Sequence, residues 1–325
     1  MSLQQRVEPV LQRSAARHAG LVVGVAAGGE TGLWRRGDTA ATFEIGSITK
    51  TFTATLLASM ARDGLVALED PVARHLPVAP PVKGREVTLE DLATHHSGLP
   101  RLPAGMLVRA LTAERDDPYA GFDDARIRRA IAETAPKRPP GEKFVYSNYG
   151  YGLLGYALAR RANTSYADLL RQRITGPLGL ADTGLDSGPL TRGHTRLGRE
   201  AHAWHLAQLA GAGGIRSTAS DMLRYLALHA PGATGPPADA AADTRVPRRD
   251  LGRVAIGLGW LILPAGLGPP WSKLQTETLM HEGGTGGFRS FASVAPSTGT
   301  AVIVLGSTAR SVTRLGANLV KAVTA

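Results

Sequence analysis

A serine and a lysine three residues apart, in Gly46-Ser47-Ile48-Thr49-Lys50, share one face if a helix starts there. A serine hydroxyl is a poor nucleophile until a neighbouring base takes its proton. A lysine can be that base where burial and the positive end of a helix disfavour its charged form. By itself such a pair is usually just a helix face. A second group is Tyr146-Ser147-Asn148, preceded by Pro139-Pro140-Gly141 and Phe144. A phenol with a pKa near ~10 becomes a usable proton carrier beside a cationic lysine. The Asn148 amide can donate to a substrate carbonyl while accepting from that lysine. The third group is His281-Glu282-Gly283-Gly284-Thr285-Gly286-Gly287-Phe288. Its glycines let a strand edge approach a substrate and offer backbone N–H groups to a developing oxyanion. They do not fall at the Gly-x-Gly-x-x-Gly spacing of dinucleotide sites, and a strand rather than a helix follows them.

These groups need elements to position them. A helix over 2–18 leads into a buried strand from Leu21 to Ala26, and Gly28-Gly29 turns the chain into a second strand, Gly32 to Arg36. Ile48, Phe52, Leu56 and Met60 recur every fourth residue and predict a helix behind Ser47, closed at Gly64. From Asp70-Pro71 to about Ala210 the pattern is mainly helical, including a helix from Tyr149 to Arg161. Asp70 before Pro71 has the form of an N-cap, and Thr88-Leu-Glu-Asp91 and Thr218-Ala-Ser-Asp221 have that of the capping box. Residues 101–125 and 185–200 read as loops, and residues 231–249 as an exposed connector of little chemical interest. Val254 to Ile262, Phe288 to Val294 and Ala301 to Leu305 are strand-like, and Val312 to Val323 is a closing helix. The predicted class is α/β. Residues 1–69 and 211–325 form a lobe built from both termini, residues 70–210 form a mainly helical lobe, and a cleft between them holds the chemistry.

The net charge of +10 and a pI near 10.3 invite a nucleic-acid or membrane reading. The arginines are scattered, however, and no basic run interleaves with aromatics, so neither partner is expected. A mild preference for anionic substrates is compatible with the charge. The chain has no cysteine, which excludes disulfides and thiolate metal sites. His202-Ala-Trp-His205 lacks the zincin glutamate, so its expected place is a pocket wall or the surface, and neither metal nor cofactor is expected. Trp204 is a candidate for the acyl pocket and residues 101–119 for its roof, while His95 and His96 read as structural. Leu21 to Ala27 is too short to span a bilayer and the start has no basic n-region before an apolar run, which predicts a cytoplasmic protein. The Gly-x-Ser-x-Gly elbow of α/β-hydrolases is absent.

Taken together and in this order, the three groups resemble the motifs of the serine β-lactamase and penicillin-binding-protein superfamily. The likeness runs through Phe43-Glu-Ile-Gly-Ser47-Ile-Thr-Lys50-Thr-Phe52, Leu92-Ala-Thr-His-His-Ser-Gly98-Leu-Pro100, Tyr146-Ser-Asn148, Gly213-Gly214-Ile-Arg-Ser-Thr218 and His281 to Phe288, nearly the whole chain. It is most similar to the class C β-lactamase branch, with its family VIII esterases, D-stereospecific peptidases and acyltransferases.

That resemblance implies a β-lactamase-like (DD-peptidase-like) fold, an antiparallel sheet flanked by helices plus a helical lobe. It implies Ser47 as acylated nucleophile, Lys50 as proton partner and Tyr146 as proton shuttle. Asn148 would hold the substrate, and the backbone N–H groups of Ser47 and Gly284 would form the oxyanion hole. Whether Lys50 or Tyr146 is the base stays open, since coupled groups share their titration. One departure stands out. The β-lactamase pattern has Lys-Thr-Gly on the strand where this chain has His281-Glu282-Gly283. A mostly neutral histidine grips a substrate carboxylate more weakly than an ammonium does. The function expected is therefore hydrolysis of a small carboxylic ester or amide. The alternatives are an acyltransferase using an amine or alcohol acceptor, and β-lactamase or D-stereospecific peptidase activity. A non-catalytic sensor would have lost a motif residue, and none of the serine, lysine, tyrosine or asparagine is lost.

Overall fold

Successive strand residues face opposite ways, and the first strand already shows a layer on each side of it. In β1 (Gly20–Ala27), Leu21, Val23 and Val25 join one core, with Leu3, Val7 and Leu11 of helix α1 (Leu3–Ser14). Val22 joins another, larger one. The computed structural model describes residues 1–14, 18–39, 42–106, 117–267 and 274–324. The remaining strands, in chain order, are β2 (Glu30–Gly37), β3 (Phe43–Glu44), β4 (Arg216–Ser217), β5 (Arg249–Asp250), β6 (Ala255–Ile256), β7 (Leu261–Leu263), β8 (Thr278–Gly284), β9 (Arg289–Ala295) and β10 (Thr300–Gly306). With β1, seven of them form one antiparallel sheet in the order β2-β1-β10-β9-β8-β7-β6-β5, while β3 pairs with β4. Strands from the two chain ends thus meet at the β1–β10 pair, where Val23 lies opposite Val304.

The other helices are α2 (Thr49–Arg62), α3 (Leu89–Ala93), α4 (Asp124–Glu133), α5 (Asn148–Arg161), α6 (Tyr166–Leu170), α7 (Ala219–Leu226), α8 (Pro236–Thr244) and α9 (Thr313–Thr324). Helices α1 and α9 cover one face of the sheet, with Leu315, Leu319 and Val320 packed on Phe291, Val302 and Val304. Helix α7 covers the other face, where Leu223 approaches the flat surface left by Gly24. Among the described residues no helix is long and apolar enough to cross a membrane.

Four expectations change in the structure. Helix α2, assigned by the boundary at residue 69 to the sheet lobe, packs instead against α5, α6, α8 and the turn at Ala207–Ala212. It is also not a helix with one apolar stripe. Thr49, Thr51, Thr53 and Thr55 on its other faces are buried too, and the last three return their hydroxyls to helix carbonyls. A helix buried all round sits at the centre of a domain. The 231–249 stretch is likewise no exposed connector. It contains α8, whose Ala238, Ala240, Ala241 and Thr244 are buried, and small side chains let α8 lie close on α2. Asp70 caps no helix; its carboxylate accepts from the Ala67 N–H and pairs with Arg74 and His75. Thr88 does form the full capping box with Asp91. Of the loop expected over 101–125, residues 107–116 lie outside the described residues.

Candidate active site

Ser47 stands on a single tight turn, Gly46–Ile48, that runs into α2, so its side chain projects from the helix start into the cleft. The turn is pinned from the sheet side. The Ser290 hydroxyl on β9 donates to the Ile45 carbonyl at 2.7 Å, and the Ile45 N–H donates to the Ile215 carbonyl at 3.1 Å. A Cβ at Gly283 would collide with the Ile45 carbonyl and the Ser290 hydroxyl, so only glycine lets β8 lie this close. Gly46, at φ +51°, has its missing Cβ directed at the Gly284 backbone, which places the Gly284 peptide beside the nucleophile turn. The pairing of Ser47 with the Gly283-Gly284 edge is therefore built by two close backbone approaches.

Lys50, one helical turn on, is fully buried. Its Nζ lies 3.0 Å from Ser47 Oγ, 3.0 Å from Asn148 Oδ1 and 2.6 Å from the Ala212 carbonyl. No carboxylate pairs with it among the described residues. Burial, with a smaller push from Arg101, holds its pKa well below the usual lysine value. A neutral amine has two N–H bonds and one lone pair. Asn148 Oδ1 and the Ala212 carbonyl can only accept, so they take both N–H bonds and leave the lone pair facing the Ser47 hydroxyl. That is the arrangement a base needs.

Tyr146 lies on the other side of Ser47. Lys50 Nζ is 5.0 Å from its ring centroid, and burial pushes the phenol up to about 12, offset in part by its hydrogen bond with Ser47. At neutral pH it is a phenol, not the phenolate that a cationic Lys50 would favour. Asn148, at the start of α5, also donates from Nδ2 to the Tyr119 hydroxyl at 3.2 Å, which fixes which way its amide points.

The strand side differs. His281 is buried in the same pocket as Tyr146, and burial and Lys50 push its pKa down to about 3. Its Nδ1 lies 2.8 Å from the Glu282 carbonyl, which accepts the ring proton. His281 is thus neutral across the working pH range. Two adjoining cavities flank the nucleophile, one of about 340 Å³ along Tyr146, Leu261 and His281, the other of about 430 Å³ along Ser47, Trp204 and Gly284. Arg101 and Glu282 border both. The Arg101 guanidinium lies 5.4 Å from the Tyr146 ring centroid. Trp204 is therefore where the sequence placed it, in a pocket wall. His205 takes the other expected place, the surface: it is exposed and pairs with Asp117. Among the described residues no group of acids and histidines could hold a metal.

Two contributors were not visible in the sequence motifs. One is the Ala212 carbonyl, which has no side-chain signature. The other is His95, set aside as structural. His95 is buried and adopts φ +60°, rare for a side-chain-bearing residue. Its carbonyl accepts from the Val145 N–H at 2.8 Å and its Nδ1 accepts from the Ser147 N–H at 3.0 Å, so one residue clamps both neighbours of Tyr146. Its ring also lies on the Tyr146 ring, centroids 4.4 Å apart. Burial first, then Lys50 and His281, keep it neutral, as an accepting Nδ1 requires. The His95-His96-Ser97-Gly98 turn was the available signal, since a histidine at positive φ needs a reason.

Comparison with known proteins points to one family. The family model described as "Beta-lactamase" matches residues 3–325. The D-alanyl-D-alanine-carboxypeptidase/endopeptidase AmpH of Escherichia coli (strain K12) is 28% identical over 273 residues, covering 78% of this chain and 67% of that protein. A beta-lactamase of Pseudomonas fluorescens is 26% identical over 294 residues, covering 81% of this chain and 78% of its own. Among solved structures, the class C beta lactamase from Rhodobacter sphaeroides superposes with a TM-score of 0.78 at 26% identity, covering 99% of this chain and 97% of that one.

Proposed function

The chain belongs to the beta-lactamase family of serine hydrolases, and from that premise we propose that it hydrolyses a carboxylic ester or amide through a covalent acyl-Ser47 intermediate. The observation that carries this reading is the buried Lys50, which has no carboxylate partner among the described residues and whose Nζ lies 3.0 Å from Ser47 Oγ. As Ser47 Oγ attacks the substrate carbonyl carbon, its proton passes to Lys50 Nζ. The carbonyl oxygen becomes an oxyanion, held by the backbone N–H groups of Ser47 and Gly284. The Tyr146 phenol then gives its proton to the departing oxygen or nitrogen, and the Lys50 ammonium restores it. Deacylation runs the same relay backwards, with water, or an amine or alcohol, losing the proton and attacking the acyl carbon. Lys50 is the resting base in this scheme and Tyr146 the acid, an assignment that follows from the opposite directions in which burial drives them. Asn148 positions Lys50 and, with its second N–H, the substrate carbonyl side. His281 and Gly283 shape the strand edge on which the substrate lies.

A second class, substrates bearing a carboxylate such as β-lactams or D-alanyl peptides, is favoured by the relatives' activities and by Arg289 beside Gly284. Neutral His281 argues against it as the preferred class.

The test is a panel of p-nitrophenyl esters, D-amino-acid amides and nitrocefin, followed by intact mass. We expect a single acyl adduct, abolished together with turnover and fluorophosphonate labelling by Ser47→Ala. Labelling that persists in that variant would overturn the assignment. Adding candidate amines to the same assay separates transfer from hydrolysis.

A further inference from the structure

Several arginines elsewhere on this surface pair with carboxylates: Arg62 with Asp243, Arg85 with Asp91, Arg128 with Asp124, Arg171 with Asp168, Arg173 with Asp63 and Arg249 with Glu90. Five others do not. Arg13, Arg196, Arg289, Arg310 and Arg314 surround, with His18, a cavity of about 850 Å³ that no acidic residue lines. None of the five forms an ion pair among the described residues. Collecting like charges around one concavity opposes folding unless an anion relieves it. Arg310 is held in this place by bonds of 3.2 and 3.0 Å from its Nε and Nη2 to the Arg196 carbonyl, and Arg314 stands exposed on α9.

This basin is continuous with the catalytic cleft. Arg289 and Ser311 line both it and the cavity that holds Ser47. Arg289 spends Nη1 on the carbonyls of Thr285 and Phe288, at 2.6 Å each, which aims its guanidinium past Gly284. Guanidinium forks match the paired oxygens of phosphate, and several of them spread round a wide basin suit more than one charge.

We propose that the basin binds a phosphate-bearing part of the substrate, so that the preferred acyl donor or acceptor is a phosphorylated, multiply anionic small molecule. The proposal rests on the acyl-Ser47 reading and deepens it. It also accounts for neutral His281: recognition of the substrate's charge is moved from the strand position to the arginines beyond Gly284.

The experiment has two arms. In the first, the Ser47→Ala protein is titrated calorimetrically with inorganic pyrophosphate. One saturable site is expected, weakened about tenfold by Arg314→Ala or Arg13→Ala, a loss of ~1.4 kcal/mol each, and untouched by Arg171→Ala, which removes a surface arginine elsewhere. Arg310→Lys, which keeps the charge and loses the fork, gives a second reading should an alanine variant fold poorly. In the second arm, the wild type is offered p-nitrophenyl butyrate and a p-nitrophenyl ester whose acyl chain ends in a phosphonate. The phosphonate ester should have the higher kcat/KM, and its advantage should shrink in Arg314→Ala. Absence of pyrophosphate binding, equal weakening by Arg171→Ala, or tighter binding of an oligonucleotide than of pyrophosphate would overturn the proposal. Turnover of both esters at equal rates without pyrophosphate binding defeats the basin alone. Binding without turnover of either ester defeats the hydrolase reading and spares the basin.

Discussion

The two walls of the cleft are built to different standards. On the helical wall Lys50 is buried and Asn148 and Tyr146 are half-buried, and their side-chain polar atoms have named partners: Lys50 Nζ has Ser47, Asn148 and Ala212, Asn148 Nδ2 has the Tyr119 hydroxyl, and the Tyr146 hydroxyl has Ser47. On the strand wall Gly284 is exposed, one Glu282 oxygen is buried without a hydrogen-bond partner among the described residues, and Arg101 and Arg289, which line the same cavity, form no ion pair among them. The first wall resembles a preorganised reaction centre, where burial sets proton affinities. The second resembles a recognition surface waiting for a charged ligand. Chemistry and selectivity are thus separated across a gap of one substrate, and substitutions on the two sides should fail differently.

The comparison is sharpest at Tyr146. Tyr146→Phe removes the acid and should lower kcat by ~10³ on every ester tested. A rate within a few fold of wild type would take the phenol out of the relay. Gly284→Pro deletes one backbone donor at the boundary of the two walls. It should raise the barrier by about 2.7–4 kcal/mol if that N–H holds the oxyanion, and an undiminished kcat would move the hole elsewhere. His95→Ala frees both neighbours of Tyr146 without touching substrate. A roughly tenfold fall in kcat with KM unchanged is expected, the size of one lost positioning bond. The proton-donation limb of the pH profile should shift with it, and His95→Asn, which can accept at the same place and tolerates positive φ, should restore part of the rate. A change in Tm with no change in the pH profile would make His95 merely structural.

The smallest effects belong to His281. With a pKa near 3 it has lost its proton well below the assay range. The acid limb of kcat/KM therefore reports Lys50, rising as the amine deprotonates, and His281→Ala should leave that limb in place. Movement of the limb would mean that the imidazole titrates. His281→Lys should raise the ratio of nitrocefin to p-nitrophenyl butyrate turnover a few fold, since an ammonium grips a carboxylate better than a neutral ring does. An unchanged ratio would count against reading that position as the site of carboxylate grip.

Much of this was legible in the residues. The strands β1, β9 and β10 are short apolar runs bounded by turn residues, the Thr88 box marks its helix, and the Ser47–Lys50 spacing places both on one turn. The structure brings Ser47, Lys50, Tyr146, Asn148, His281, Gly283 and Gly284 to one cleft. Helix α8 was missed because an alanine- and proline-rich stretch has low hydropathic contrast and owes its helix to packing on α2. His95 was missed because a lone histidine reads the same whether it faces solvent or clamps a tyrosine.

The sequence alone determined which groups could react and on which elements they sit, because spacing along a helix or strand is local geometry. Only the tertiary structure decided their protonation and partners. Lys50 is driven toward its neutral form by being sealed among Ala212, Asn148 and Tyr151, with no carboxylate pairing with it among the described residues, and His281 is neutral for the same kind of reason. Five arginines from distant segments become one basin. Desolvation and charge pairing depend on what the folded chain brings near, and no pattern of neighbours in sequence encodes that distance.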